Sequence, residues 1–204
     1  LIYWIFRNND FKNSLLHHSI LIKAYFLKII NLRYYKKQIL SFSKLKDYKK
    51  SDTLFVMGSG YSINSIEDNI WKKINKHDSI GFNGTYYLEK IDITYHITRA
   101  GSEGKEFKGD DIFKYFVADK IKNNDFYKNT VFLFSKGYSQ HFPNLLLGTK
   151  VFNFKNNMYF FNTNKFYDLP KGSLFTGLIH KSGTLIDALS FGYYMGYKNI
   201  VLLG

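Results

Sequence analysis

Cysteine is absent from the 204 residues, which removes disulfide frameworks, thiolate zinc sites and cysteine nucleophiles, and fits a cytoplasmic protein. Arginine is nearly absent: Arg7, Arg33 and Arg99 are the three, so 29 − 3 = 26 of the basic residues are lysine. Two-pronged reading of bases and phosphates favours the guanidinium fork, so the formal charge of +13 argues little for nucleic acid, and no nucleic-acid partner is expected. Long uncharged apolar runs are missing too. A membrane-spanning helix needs about 20 predominantly apolar residues, and Lys23 and Lys28 interrupt the best stretch. No signal-peptide cleavage pattern follows Leu1 to Phe6. There is no P-loop lysine and no Asp-x-Asp or His/Asp cluster, and His17, His18, His77 and His141 lack metal-site spacing, so no metal and no cofactor are expected.

With 45% hydrophobic and 22% charged residues, the chain has the composition of an ordinary globular domain with a sizeable core. Its charge is uneven. Residues 1–50 carry 11 Lys and Arg against 2 Asp and Glu, a net of +9, and the remainder carries 18 against 14, a net of +4. Leu15 to Leu40 lacks Gly and Pro and reads as a helix, with Leu16, Ile20, Phe26, Ile30 and Leu32 spread round the wheel. A basic, aromatic helix of this kind either packs before the domain or rests on an anionic membrane surface. The expected division is therefore a basic helical segment, 1–50, and a domain, 51–204. The chain starts without Met and ends on the apolar run Val201 to Gly204, so it reads as a piece of a longer protein.

After Tyr48 to Asp52, short apolar runs alternate with helical periods. Thr53 to Met57 reads as a strand ending in Gly58-Ser59-Gly60-Tyr61-Ser62. Ile63, Ile66, Ile70 and Ile74 recur at three and four, predicting a helix with Ser62 placed to cap it. Further strands are expected at Ser79 to Phe82, Ile91 to Ile97, Val131 to Phe134 and Val151 to Phe154. A helix from Ser182-Gly183-Thr184 to Tyr194 is closed by Gly196 and followed by a buried strand, Asn199 to Leu203. Tyr138 to Pro170 reads as a lid or insertion over the carboxyl edge. The alternation implies an α/β fold: a Rossmann-like, mostly parallel sheet with helices on both faces, preceded by the basic segment.

The glycine-rich turn at Gly58 is the most informative motif, because such a turn before a helix offers backbone N–H groups and positive dipole to a phosphate. A third fingerprint glycine is missing, Ile63 standing in its place, and Asn83 stands where a dinucleotide fold carries an acidic residue, which disfavours a dinucleotide oxidoreductase.

Leu54 to Ser62, Ile80-Gly81-Phe82-Asn83, Ser182-Gly183, and Ala188 through Gly196 to Gly204 together resemble the bacterial sialyltransferase family typified by Campylobacter enzymes, and uncharacterised proteins of surface-polysaccharide loci. That resemblance implies a metal-independent glycosyltransferase that moves a sugar from a CMP-activated donor to a glycan acceptor in lipopolysaccharide or capsule synthesis; the lack of cysteine and the basic segment lead to the separate expectation of a cytoplasmic protein, peripheral at the inner membrane. By position it assigns donor contacts to Gly58, Ser59, Gly60, Asn83, Ser182 and Gly183. Lys181 and Ile179 replace the family's Thr and Arg, so the donor sugar is expected to differ from sialic acid. The family's catalytic His would lie past Gly204.

Three further residues stand out. Arg99, the sole arginine of 51–204, is set either to meet a phosphate or carboxylate or to pair with Glu103 or Glu106. His96 inside an alternating strand reads as a core histidine. His180 beside the donor loop is the candidate base within the chain, since imidazole titrates near neutral pH. Two rivals are a pterin diphosphokinase of the related Rossmann group, which requires acidic metal ligands, and a nucleic-acid-binding module driven by the basic segment.

Overall fold

The computed structural model describes residues 11–82, 85, 88, 90–99, 127–136, 144, 147–148, 156–164, 177–180 and 183–204, with backbone alone for 11–18, 20–21 and 164. Strands β1 (Thr53–Met57), β2 (Asp78–Phe82), β3 (Tyr95–Thr98), β4 (Val131–Ser135), β5 (Met158–Phe161) and β8 (Asn199–Leu203) form one sheet in the order β5-β4-β3-β2-β1-β8. Every neighbouring pair is parallel. Two short strands, β6 (Thr163–Asn164) and β7 (Leu178–Ile179), pair in parallel beside it. The fold is α/β and Rossmann-like, as the alternation implies.

Central strands such as Val131-Phe132-Leu133-Phe134 are apolar on both faces because parallel sheets are covered on both sides. Alternation then sorts the core in two. Met57, Phe132, Phe134 and Met158 pack with Trp71 and Ile74 of helix α3 (Asp68–Ile74) and Tyr35 of helix α1 (Phe11–Tyr35). Leu54, Val56, Ile80, Tyr95, Ile97, Val131 and Leu133 pack with Ala188, Phe191 and Met195 at helix α4 (Thr184–Tyr194). Helix α4 ends as the sequence implies. Gly196 takes φ +72, Tyr197 N–H donates to the Gly192 carbonyl at 3.1 Å and Gly196 N–H to that of Tyr193 at 3.0 Å, a Schellman cap that a Cβ would strain.

The basic segment crosses the β5 edge. Met158 N–H donates to the Gln38 carbonyl at 2.8 Å, Leu40 N–H donates back to Met158 at 2.8 Å, and Leu45 of helix α2 (Phe42–Lys46) is buried on the α4 face. This covers an edge strand whose unpaired groups would otherwise recruit another chain. Against Leu147 and Gly148, α1 presents a narrow side: Asn31 donates to the Leu147 carbonyl at 2.9 Å, and a side chain at Gly148 would collide with the backbone of Ala24.

Four expectations are corrected. The helix after Gly60 is broken: a 3-10 turn spans Tyr61–Ser65, Ile66 is extended at ψ 123, and α3 starts at Asp68. Ser62 therefore caps nothing; Gly60 occupies that position, without a side chain to bond. The first helix runs Phe11–Tyr35, not to Leu40, because 38–40 pairs with β5. The Tyr138 to Pro170 stretch contributes Met158–Phe161 to the sheet itself. Asn157 anchors that strand by donating to the Tyr48 hydroxyl at 2.6 Å. Strand β8 is half exposed rather than buried, since β1 flanks it on one side and nothing among the described residues on the other. The expected strand at Val151 to Phe154 lies outside the described residues.

Candidate functional site

Strand order runs outward from β1 to β5 in one direction and to β8 in the other, so the switch point of the sheet lies between β1 and β8. Open parallel sheets bind ligands beyond the carboxyl ends of the strands at such a point. Gly58, Ser59 and Gly60 sit there. Gly58 N–H donates to the Leu203 carbonyl at 2.6 Å, and a Cβ built on Gly60 would lie 2.6 Å from the carbonyl carbon of Gly204. The close approach of β8's end to this turn is thus one reason for glycine. The exposed Ser59 is the side chain of the turn. Because the 3-10 turn intervenes, this loop does not run straight into an α-helix as the sequence pattern implies.

A second group of residues converges at the same edge. Residues 95, 97 and 99 share one face of β3 and its extension, the face covered by α4, and α4 runs antiparallel to the strands so its first turn lies at their carboxyl ends. Arg99 Nη1 donates to both oxygens of Asp187, at 3.0 Å to Oδ2 and 3.3 Å to Oδ1. His180, directly after β7, places Nδ1 3.0 Å from Asp187 Oδ2. Asp187 is fully buried at 0% exposure, whereas the side chains of His180 and Arg99 keep 26% and 19%. The carboxylate is thus the hidden pivot and its two partners are the reachable groups.

Burial pushes the Asp187 carboxyl above the usual carboxylate range, a rise that the Arg99 and His180 contacts offset in part. With Nδ1 facing Asp187, the imidazole is set in the arrangement by which a carboxylate fixes a histidine's tautomer and orientation. Ser190 sets the height of His180: its hydroxyl accepts from Ile179 N–H at 3.2 Å and donates to the Asp187 carbonyl at 3.4 Å, locking β7 to α4. Arg99 thus pairs with Asp187; Glu103 and Glu106, the partners in one of its two expected roles, lie outside the described residues. Asp187 is the member that the sequence pattern hides, since an acidic residue in a helix's first turn ordinarily just complements the dipole.

His96 is the core histidine the alternation implies. It is 1% exposed, its Nδ1 lies 3.3 Å from Thr98 Oγ1, and burial lowers its pKa to about 4. Gly183 precedes α4 in extended conformation with nothing within 4 Å of where a Cβ would stand. Asn83 and Ser182 lie outside the described residues. Lateral spacing of about 4.8 Å per strand puts the ends of β1 and β3 about 10 Å apart, so the Gly58 turn and the Arg99 cluster flank β2 on one edge. Among the described residues no group of three or more His, Asp or Glu is arranged to hold a metal ion. No protein-family model matches this chain, and no curated protein does either.

Proposed function

We propose that the protein is a glycosyltransferase that moves a sugar from a CMP-activated donor onto a hydroxyl of a bacterial surface glycan. The observation that supports this most is the Arg99-Asp187-His180 cluster at the carboxyl edge, beside the glycine turn at the switch point. Transfer requires a base on the acceptor hydroxyl and stabilisation of the leaving phosphate. His180 Nε2 takes the proton of the acceptor hydroxyl as its oxygen bonds the anomeric carbon, and the bond from that carbon to the phosphate oxygen breaks with its electron pair on CMP. Asp187 holds the imidazole and stabilises the imidazolium. Arg99 supplies fixed positive charge toward the departing phosphate, its guanidinium carrying five N–H donors. Donor contacts fall to Ser59, Asn83 and Ser182 with the backbone of Gly58, Gly60 and Gly183.

Calorimetric titration of the intact protein with CMP, UMP, AMP and GMP, each with and without EDTA, tests this reading. Preference for CMP that survives chelation is expected, with sugar transfer lowered at least a hundredfold and CMP binding retained in His180→Ala. Adenine preference, or binding lost on chelation, overturns it and favours the diphosphokinase reading.

A further inference from the structure

Helix α1 is turned inside out. Among its described side chains, those it packs inward are Ala24, Lys28, Asn31, Leu32 and Tyr35, more small or polar than apolar, with Lys28 Nζ donating to Asn144 Oδ1 at 2.7 Å. Five of its large apolar side chains, Ile22, Tyr25, Phe26, Ile29 and Ile30, face outward, each 50–61% exposed. Their spacing of three, four, seven and eight places them on one side of the helix, a stripe about 12 Å long at 1.5 Å per residue. Single exposed apolar residues need no explanation, but five contiguous ones mark a contact surface.

Charge identifies the occupant. From Phe11 to Lys46 the chain has eight basic residues and no acidic one. Lys23 is exposed at one margin of the stripe, and Arg33, Lys36 and Lys37 are exposed at its carboxyl-terminal end. A second copy of the chain would set these cations against themselves, whereas an anionic bilayer neutralises them while taking the apolar side chains into its headgroup and acyl boundary. Among the described residues no helix is long and apolar enough to cross a membrane, so the contact lies in the plane of the surface.

We propose that this face of α1 docks the protein on an anionic phospholipid surface, Phe26, Ile29 and Ile30 entering the interface and Lys23, Arg33, Lys36 and Lys37 meeting the headgroups. The proposal is independent of the transferase reading.

Sedimentation with vesicles of phosphatidylglycerol and phosphatidylcholine (3:7) or of phosphatidylcholine alone tests it, in 50 mM and 500 mM salt. Binding at least tenfold tighter to the anionic vesicles, weakened by salt, is expected. Ile22→Ser, Phe26→Ser, Ile29→Ser and Ile30→Ser combined should cut anionic-vesicle binding at least tenfold. Lys23→Gln, Arg33→Gln, Lys36→Gln and Lys37→Gln combined should abolish the preference for anionic lipid while circular dichroism stays unchanged. Equal binding to both vesicles, or wild-type binding by the serine variant, overturns the proposal. So does a dimer in sedimentation velocity that the serine substitutions disperse, since the stripe would then serve a second copy.

Discussion

Two buried aspartates, Asp78 and Asp187, stand at opposite edges of the same sheet, both at 0% exposure. Asp78 opens β2 at the amino edge. Its Oδ2 accepts from the backbone N–H of Lys50 at 2.8 Å and of Ser51 at 3.0 Å, and from the Tyr197 hydroxyl at 3.0 Å. Those donors are immobile: two belong to the main chain entering β1, and one to a tyrosine just past the cap of α4. Asp187 at the carboxyl edge is bonded instead by two long side chains that reach solvent. Burial of a carboxylate is costly in either place, and the partners show what offsets it. Backbone donors make Asp78 a staple that ties the basic segment and α4's end to the sheet. Ionisable, partly exposed partners make Asp187 the support of two side chains that solvent can reach.

Removing the reactive partner breaks the comparison most sharply. His180→Ala should lower sugar transfer by about 10²–10⁴, the range of a lost general base, while thermal denaturation shifts little because the side chain is a quarter exposed. A transfer rate within a few fold of wild type, measured by release of CMP, removes His180 from the chemistry.

Next in size is the contrast between the aspartates themselves. Asp78→Ala removes the one oxygen that three buried donors share and should cost about 3 kcal/mol, or roughly 10 °C in Tm for a chain of this size, through unsatisfied buried groups. Asp187→Asn should cost under about 1 kcal/mol, since burial already disfavours its charge and Arg99 and His180 can swing to water. Its transfer activity should nevertheless fall at least a hundredfold. Equal stability losses in the two variants would erase the distinction.

Acid separates two buried groups of opposite sign. His96 is held neutral with a pKa of about 4 against 6.5 for the free side chain, so the unfolded chain takes up the proton first as pH falls. Stability should decline from pH 6.5 to pH 4 by about 3 kcal/mol. Asp187, whose folded pKa is raised, works the other way: the fold binds its proton more readily than the unfolded chain, so acidification relieves rather than adds strain. Urea titrations across this range should show a slope that His96→Asn flattens. An unchanged slope would assign the acid sensitivity elsewhere.

The smallest effects distinguish the two glycine turns. Gly60→Ala puts a methyl against Gly204 and should cost about 1–3 kcal/mol by overpacking. Gly183→Ala meets no atom and should leave Tm within about 1 °C. If Gly183→Ala alone weakens CMP binding, the space beside Gly183 belongs to the donor; tight CMP binding by this variant counts against that contact.

Local physics made several elements legible without coordinates. Asn199–Leu203 was bounded by its apolar run, and the end of α4 at Gly196 was readable because positive φ is nearly free only for glycine. His96 was readable as core because it sits inside a short apolar strand, and the strands of a parallel sheet are covered on both faces. The break at Ile66 was not: Ile63, Ile66, Ile70 and Ile74 keep helical spacing even though the chain leaves the helix between them. Met158–Phe161 escaped because the aromatic and Asn-rich composition around it masks a strand that tertiary pairing with β4 and residues 38–40 creates.

The sequence by itself determined the α/β class, the parallel crossovers and the identity of the reachable side chains Arg99 and His180, because periodicity, turn residues and side-chain chemistry are local properties. Tertiary structure alone decided that Arg99 and His180 meet, through an aspartate 88 residues from the first and seven from the second. Strand parity puts residue 99 on a definite face, but which helix covers that face depends on strand order and register. It likewise decided that the apolar side of α1 faces outward. A helical wheel orders side chains around an axis; it takes the packing of Ala24, Asn31 and Tyr35 against the rest of the chain to fix which side is in.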